Sequence, residues 1–201
     1  MAPEPVPKLP PRVVLAEHKS LPLEMGVKVI NKSSQNLHAE MLLRTLAKEL
    51  KGFGSLTVGI EVLEEYVVQI GLDRKEFHFA DGSGLSSDAL VAPQAVIKLL
   101  AHMNASPQSE VFRDSLPIAG ADGTLEDRLK GSEVRARIRA KTGTMTHTNA
   151  LSGYMDLPRG QRLAFCIIGN HHGLSPRQGA TVVDRIVIAL YQHFARGAAK
   201  K

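Results

Sequence analysis

The sequence predicts an α+β fold, and two observations carry that prediction. Through the first half, apolar residues recur at helical spacing: Leu37, Met41, Leu42, Leu43, Leu46, Ala47 and Leu50, then Val58, Val62, Leu63, Val67 and Ile70. From Val134 the pattern changes to three apolar or alternating runs, 134–140, 150–157 and 163–169, separated by Thr-rich and Pro-Arg-Gly turns. Such runs predict an antiparallel meander. A last stripe over 176–194, with Val182, Val183, Ile186, Ile188, Leu190 and Phe194, is expected to pack as a helix on that sheet.

Taken in order, residues 1–12 (MAPEPVPKLPPR) are proline-rich and suit an extended linker or a segment returning from an upstream region. Residues 13–17 read as a short strand and 21–30 as a helix or turn leading into Asn31-Lys32-Ser33-Ser34. The stripe over 37–50 is broad enough to predict a well-buried helix, with Ser34 and Asn36 at its N-terminal mouth. A second helix is expected over 55–71, with Gly71 near its end, and a short strand over 76–80. Asp81-Gly82-Ser83-Gly84-Leu85-Ser86 reads as a glycine-hinged turn; it lacks the Gly-Lys-Ser/Thr ending of a phosphate loop and the spacing of a dinucleotide fold. Pro93 suits the first position of a third helix running toward Met103, and 116–125 is a loop rich in Gly and Asp. The expected domain is 13–195, with 196–201 as a basic tail.

Composition narrows the function classes. The 201 residues, 43% of them hydrophobic, suffice for one domain with a core, and the net charge of +5 is spread among acidic residues with no basic block, so nucleic acid is not signalled. Cys166, the single cysteine, rules out an internal disulfide and multi-cysteine metal sites, and its apolar surroundings predict a buried, inert thiol. No apolar run approaches the ~20 residues of a membrane span, and residues 1–12 lack the apolar core of a signal peptide. Metal sites fail on spacing: His38 and Glu40 have no second histidine one turn on, and His171-His172 are adjacent in a turn. No cofactor is implied. No G-x-S-x-G elbow proposes a nucleophile for a Ser-His-Asp triad.

Two triplets carry chemistry. Lys141-Thr142-Gly143, followed by Thr144, places a cation, two hydroxyls and a glycine at the end of an alternating run, as suits the carboxylate tail of an acyl substrate. Ser34-Gln35-Asn36 lies about a hundred residues upstream. Each alone has an ordinary reading, a solvated strand end and a helix N-cap respectively. Together, S-x-N at a helix mouth and K-T-G on a strand followed by two strands and a helix resemble the penicillin-binding serine acyl-transferases. The segments NKSSQNLHAEMLLRTLA, DGSGLSSDAL, LPIAGADGTLEDRL and AKTGTMTHTNALSGY are similar to the class C low-molecular-mass penicillin-binding proteins, which are D-alanyl-D-alanine carboxypeptidases and endopeptidases.

That resemblance implies a penicillin-binding/serine β-lactamase-like transpeptidase fold, no cofactor, a location in the periplasm or cell envelope, and as partners a peptidoglycan peptide ending in D-Ala-D-Ala and β-lactams. It implies that Ser34 relays a proton to the leaving D-alanine amine, Asn36 holds the substrate amide, and Lys141 orients Ser34 and attracts the terminal carboxylate. Thr142 and Thr144 would hydrogen-bond that carboxylate, Gly143 would leave room along the strand, and the Thr144 N–H would form half of an oxyanion hole. The family's S-x-x-K nucleophile is not among these residues. Thr45, with Lys48 three residues on, is the one hydroxyl so placed, and it reads as an ordinary helix residue. The expectation is therefore a C-terminal segment of a longer enzyme whose edge strand, 163–169, lacks its neighbours and invites self-association. A non-catalytic relative that binds wall peptides or a partner chain is the alternative; a β-lactamase fits the four segments less well.

Overall fold

The structure, a computed structural model, describes residues 13–199, with side chains through Arg196. The linker read over 1–12 and the last two tail residues lie outside the described residues. The elements are α1 (Leu23–Ser33), α2 (Asn36–Lys51), α3 (Leu56–Gln69), β1 (Phe77–His78), β2 (Leu90–Val91), α4 (Pro93–Ala105), α5 (Ser109–Ser115), β3 (Ile138–Met145), β4 (Thr148–Asp156), β5 (Arg162–Gly169) and α6 (Pro176–Ala199).

β3, β4 and β5 form one antiparallel sheet in that order, the meander read from the alternation. Its two faces are covered by different helices. Leu151 and Met155 of β4 join Ile138, Ala140, Phe165 and the α6 residues Val183, Val187 and Tyr191 in the main core. Tyr154, pointing the other way as the period of two requires, packs with Leu100 of α4 and Leu116, and its hydroxyl donates to the Leu100 carbonyl at 2.7 Å. Gly153 is the residue that lets β3 and β4 close up there, since any Cβ on it would run into the Arg139 carbonyl and Ala140.

Several expectations need correction. Residues 13–22 carry no regular structure, and Val13, Val14 and Leu15 are exposed, with no described strand beside them to supply hydrogen bonds for the strand read over 13–17. The strand over 76–80 shrinks to the two residues of β1, paired with β2, and the Asp81 turn takes over. β3 begins later than 134 and runs on through Lys141–Thr144: residues 134–137 fold as a turn instead, with Ala136 at φ +59 and its N–H bonded to the Ala119 carbonyl. α6 extends past Phe194 to Ala199, so the start of the expected tail is helical.

The helix stripes are also only partly covered. On α2, Leu43 and Ala47 are buried, but Leu37 is 69% and Leu50 64% exposed. α3 supports one flank, with Gly59 beneath Leu43, and the 81–86 loop packs at Leu43 as well, while the Leu37 and Leu50 ends of the stripe stay open among the described residues. On α6 the buried line is Val183, Val187 and Tyr191, spaced one turn apart, while Val182, Ile186 and Phe194 stay substantially exposed. A helix on a sheet buries a stripe roughly 100° wide. Val182 and Ile186 of α6 line, with Ile167, Ile168 and Leu174, an open cavity of about 180 Å³ beside β5. β5 pairs with β4 and has no second neighbour among the described residues. Cys166 on this strand is half-buried, and burial pushes its thiol pKa up.

Candidate active site

The site forms where the tight α1–α2 turn meets the free edge of β3. α1 ends in a left-handed residue, Ser34 at φ 56 and ψ 54, followed by Gln35 as the N-cap of α2. Neither Ser34 nor Asn36 caps α2, and Gln35 supplies no side-chain cap either, so the ordinary N-cap reading of this triplet does not hold. A non-glycine residue in that region costs about 1–2 kcal/mol. What the strained turn achieves is the placement of the Ser34 hydroxyl against β3, where it accepts a hydrogen bond from Lys141 Nζ at 2.8 Å across 107 residues of sequence.

Lys141 is held in turn by the Thr142 carbonyl, at 2.9 Å. It is opposite Ser152 in the β3–β4 register, on the face that also carries Tyr154 and away from the α6 core. No described carboxylate lies within ion-pair distance of it, and burial lowers its pKa from the ordinary 10.5. A half-desolvated ammonium held by two neutral oxygens is a preformed receptor for an anion.

The edge of β3 has two parts. Over its first residues it is occupied: Ala119 N–H donates to the Ile138 carbonyl and Ala140 N–H to the Pro117 carbonyl. Beyond Ala140 the edge is free of described backbone partners. In-plane backbone groups alternate sides along a strand. Since residues 138 and 140 point to this edge, Thr142 and Thr144 do too, and the Thr144 N–H is presented at the open edge. Gly143 is exposed, and a Cβ there would meet only the Ala150 Cβ, at 3.4 Å. The fold therefore does not demand glycine at 143.

Thus Ser34, Lys141, Thr142, Gly143 and Thr144 meet at one edge. Asn36, on the first turn of α2 and two residues after Ser34, is exposed and makes no hydrogen bond to a described residue. Thr45 donates to the Met41 carbonyl at 2.8 Å, an ordinary helix back-bond.

Three features escaped the sequence reading. Glu40, one turn after Asn36, accepts the N–H groups of Gly82 and Ser83 at 2.9 and 3.1 Å, while Asp81 accepts those of Gly84, Leu85 and Ser86. The donors of the 81–86 loop are thus occupied by the chain's own carboxylates, and the loop braces α2. Lys32, 13% exposed, is bound by both Asp122 oxygens at 2.6 and 2.8 Å, fastening α1 to the 116–125 loop. Thr124 of that loop shares a 2.8 Å hydrogen bond with Thr142 Oγ1. No group of three or more His, Cys, Asp or Glu among the described residues is placed to hold a metal ion.

Comparison with known proteins places the chain in a family. The family model described as D-Ala-D-Ala carboxypeptidase 3 (S13) matches residues 6–192. The chain belongs to that family. It is 37% identical over 186 residues to a D-alanyl-D-alanine carboxypeptidase of Actinomadura sp. strain R39, a match covering 90% of this chain and 34% of that protein. It superposes with a TM-score of 0.81 and 29% identity on penicillin binding protein 4 (DacB) of Haemophilus influenzae, solved with a β-lactam, over 92% of this chain and 45% of the other. A class A β-lactamase of Bacteroides cellulosilyticus shares the fold at TM-score 0.66 and 20% identity. The S13 chain described here thus has the α+β penicillin-binding and β-lactamase-like fold, and spans about a third of the length of the curated relatives it matches.

Proposed function

We propose that this chain supplies the S-x-N and K-T-G clusters of a serine-type D-Ala-D-Ala carboxypeptidase/endopeptidase that acts on peptidoglycan peptides in the periplasm or cell envelope. The observation that carries the reading is the 2.8 Å hydrogen bond from Lys141 to Ser34, made at the open edge of β3 by residues 107 apart. A solvated strand end and a helix cap have no reason to meet there.

In this reading the substrate peptide lies antiparallel along the free part of β3. Its terminal carboxylate is held by Lys141, Thr142 and Thr144, and Asn36 holds its amide from the α2 side. An activated serine from an S-x-x-K segment, which these 201 residues do not contain, attacks the penultimate D-alanine carbonyl. The Thr144 N–H and the nucleophile's own N–H stabilise the oxyanion. As the C–N bond breaks, Ser34, polarised by Lys141, gives its proton to the leaving amine. Water then hydrolyses the acyl-enzyme, and β-lactams acylate the same serine. By itself the chain associates with copies through β5 and the apolar flank beside it.

Release of D-alanine from a peptide ending in D-Ala-D-Ala by the native product, compared with its S34A and K141A variants, tests this. The reading requires release by the native product and a fall of 10² or more in either variant. Peptide binding without release would favour a non-catalytic wall-peptide binder.

A further inference from the structure

The D-G-T stretch of the 116–125 loop has no role in the mechanism above, yet it is fixed more tightly than a surface loop requires. Asp122 is locked by Lys32 and also accepts the Ile118 N–H at 2.8 Å. Gly123 adopts φ +59, and a Cβ there would come within 2.6 Å of the Lys32 carbonyl, so a glycine is needed for α1 and the loop to touch. Leu125 is fully buried in the main core. Between these anchors Thr124 is exposed, and its hydroxyl lies 2.8 Å from that of Thr142.

We infer that Thr124 is a positioning residue that sets the direction of the Thr142 hydroxyl toward a carboxylate, an inference that rests on the carboxylate site proposed above. Each hydroxyl has one hydrogen to donate and rotates to suit its partners. A carboxylate only accepts. When it binds, Thr142 must turn its hydrogen to the ligand, and the contact between the two threonines survives only if Thr124 becomes the donor. The resulting chain, Thr124 O–H to Thr142 Oγ1 and Thr142 O–H to the carboxylate, is polarised in one direction, and such chains strengthen each member. A C-terminal amide offers donors as well as an acceptor, so it does not impose that direction. Thr124 should therefore contribute to the preference for a free carboxylate without touching the ligand.

The test uses the native product with N-acetyl-D-Ala-D-Ala and its C-terminal amide, read as Kd, or as KM and kcat where there is turnover. With T124V, affinity for the acid should fall about fivefold, the worth of one net hydrogen bond. Affinity for the amide and kcat should stay within about twofold, and T124S should restore the acid. Thr124 is exposed on a turn, and melting curves of both variants exclude misfolding as the cause; if T124V does not fold, T124S against T124A gives the same comparison. If the wild type prefers the acid and T124V keeps that preference, Thr124 has no such role while the carboxylate site stands. If the wild type does not distinguish acid from amide, the carboxylate site and this inference both fall. Equal loss for acid and amide would make Thr124 merely structural.

Discussion

Replacing Lys141 by Met separates function from stability at this site. The substitution keeps an unbranched stem and removes the ammonium. Two hydrogen bonds disappear, to Ser34 Oγ and the Thr142 carbonyl, each worth about 1 kcal/mol net. Against that stands relief from keeping a charge half-buried with no described counter-ion, a cost that burial already registers in the lowered Lys141 pKa. The two effects oppose, so K141M should unfold within about 1 kcal/mol of the wild type. Affinity for a terminal carboxylate should instead fall by about 10- to 150-fold, the range for a hydrogen bond to a charged group at ~1.5–3 kcal/mol. Denaturant titration and peptide binding on the same preparations read both quantities. Destabilisation above about 3 kcal/mol with unchanged affinity would make Lys141 a structural residue and refute this reasoning.

Gly143→Val should fold with only a small loss of stability, since the site meets little but Ala150, yet peptide binding should collapse because the groove is obstructed; a severe stability loss with intact binding would contradict it. Burial pushes the Tyr154 hydroxyl up to about 12 from 10. Its folded pKa exceeds the unfolded value, so its contribution is complete below pH 10 and is lost as pH climbs from 10 toward 12; comparing wild type with Y154F by urea unfolding at pH 9 and 11 should show that loss in the wild type alone. The β5 edge, which has no second neighbour among the described residues, and exposed Val182 and Ile186 predict that the isolated 201-residue chain associates or unfolds without cooperativity, and sedimentation with thermal melts checks this. A sharp, reversible, monomeric transition would argue against it.

The strand order and most helices were legible in the sequence because period and turn chemistry are local. Coverage was not. The stripe of α2 reveals an apolar face, but Leu37 and Leu50 remain exposed because burial depends on what lies opposite, and no described element does. The alternation of Val134, Ala136, Ile138 and Ala140 predicts a strand from 134, but a turn tucked against the core also buries Val134, and β3 starts only at Ile138. S-x-N and K-T-G were findable as residue types at a helix mouth and a strand end. Their meeting depends on the left-handed Ser34, and serine carries no local signal for that conformation. Thr124 was passed over because D-G-T reads as turn chemistry, and only the fold brings its hydroxyl to Thr142.

The most direct measurement is the intact mass of the native product from its source cells, before and after incubation with benzylpenicillin. A mass well above 21.8 kDa that gains one penicilloyl group on a serine is the expected result, with the adduct lost on substitution of the S-x-x-K serine. A product of 21.8 kDa that takes up no adduct would contradict the acyl-transfer site proposed at the Ser34–Lys141 edge.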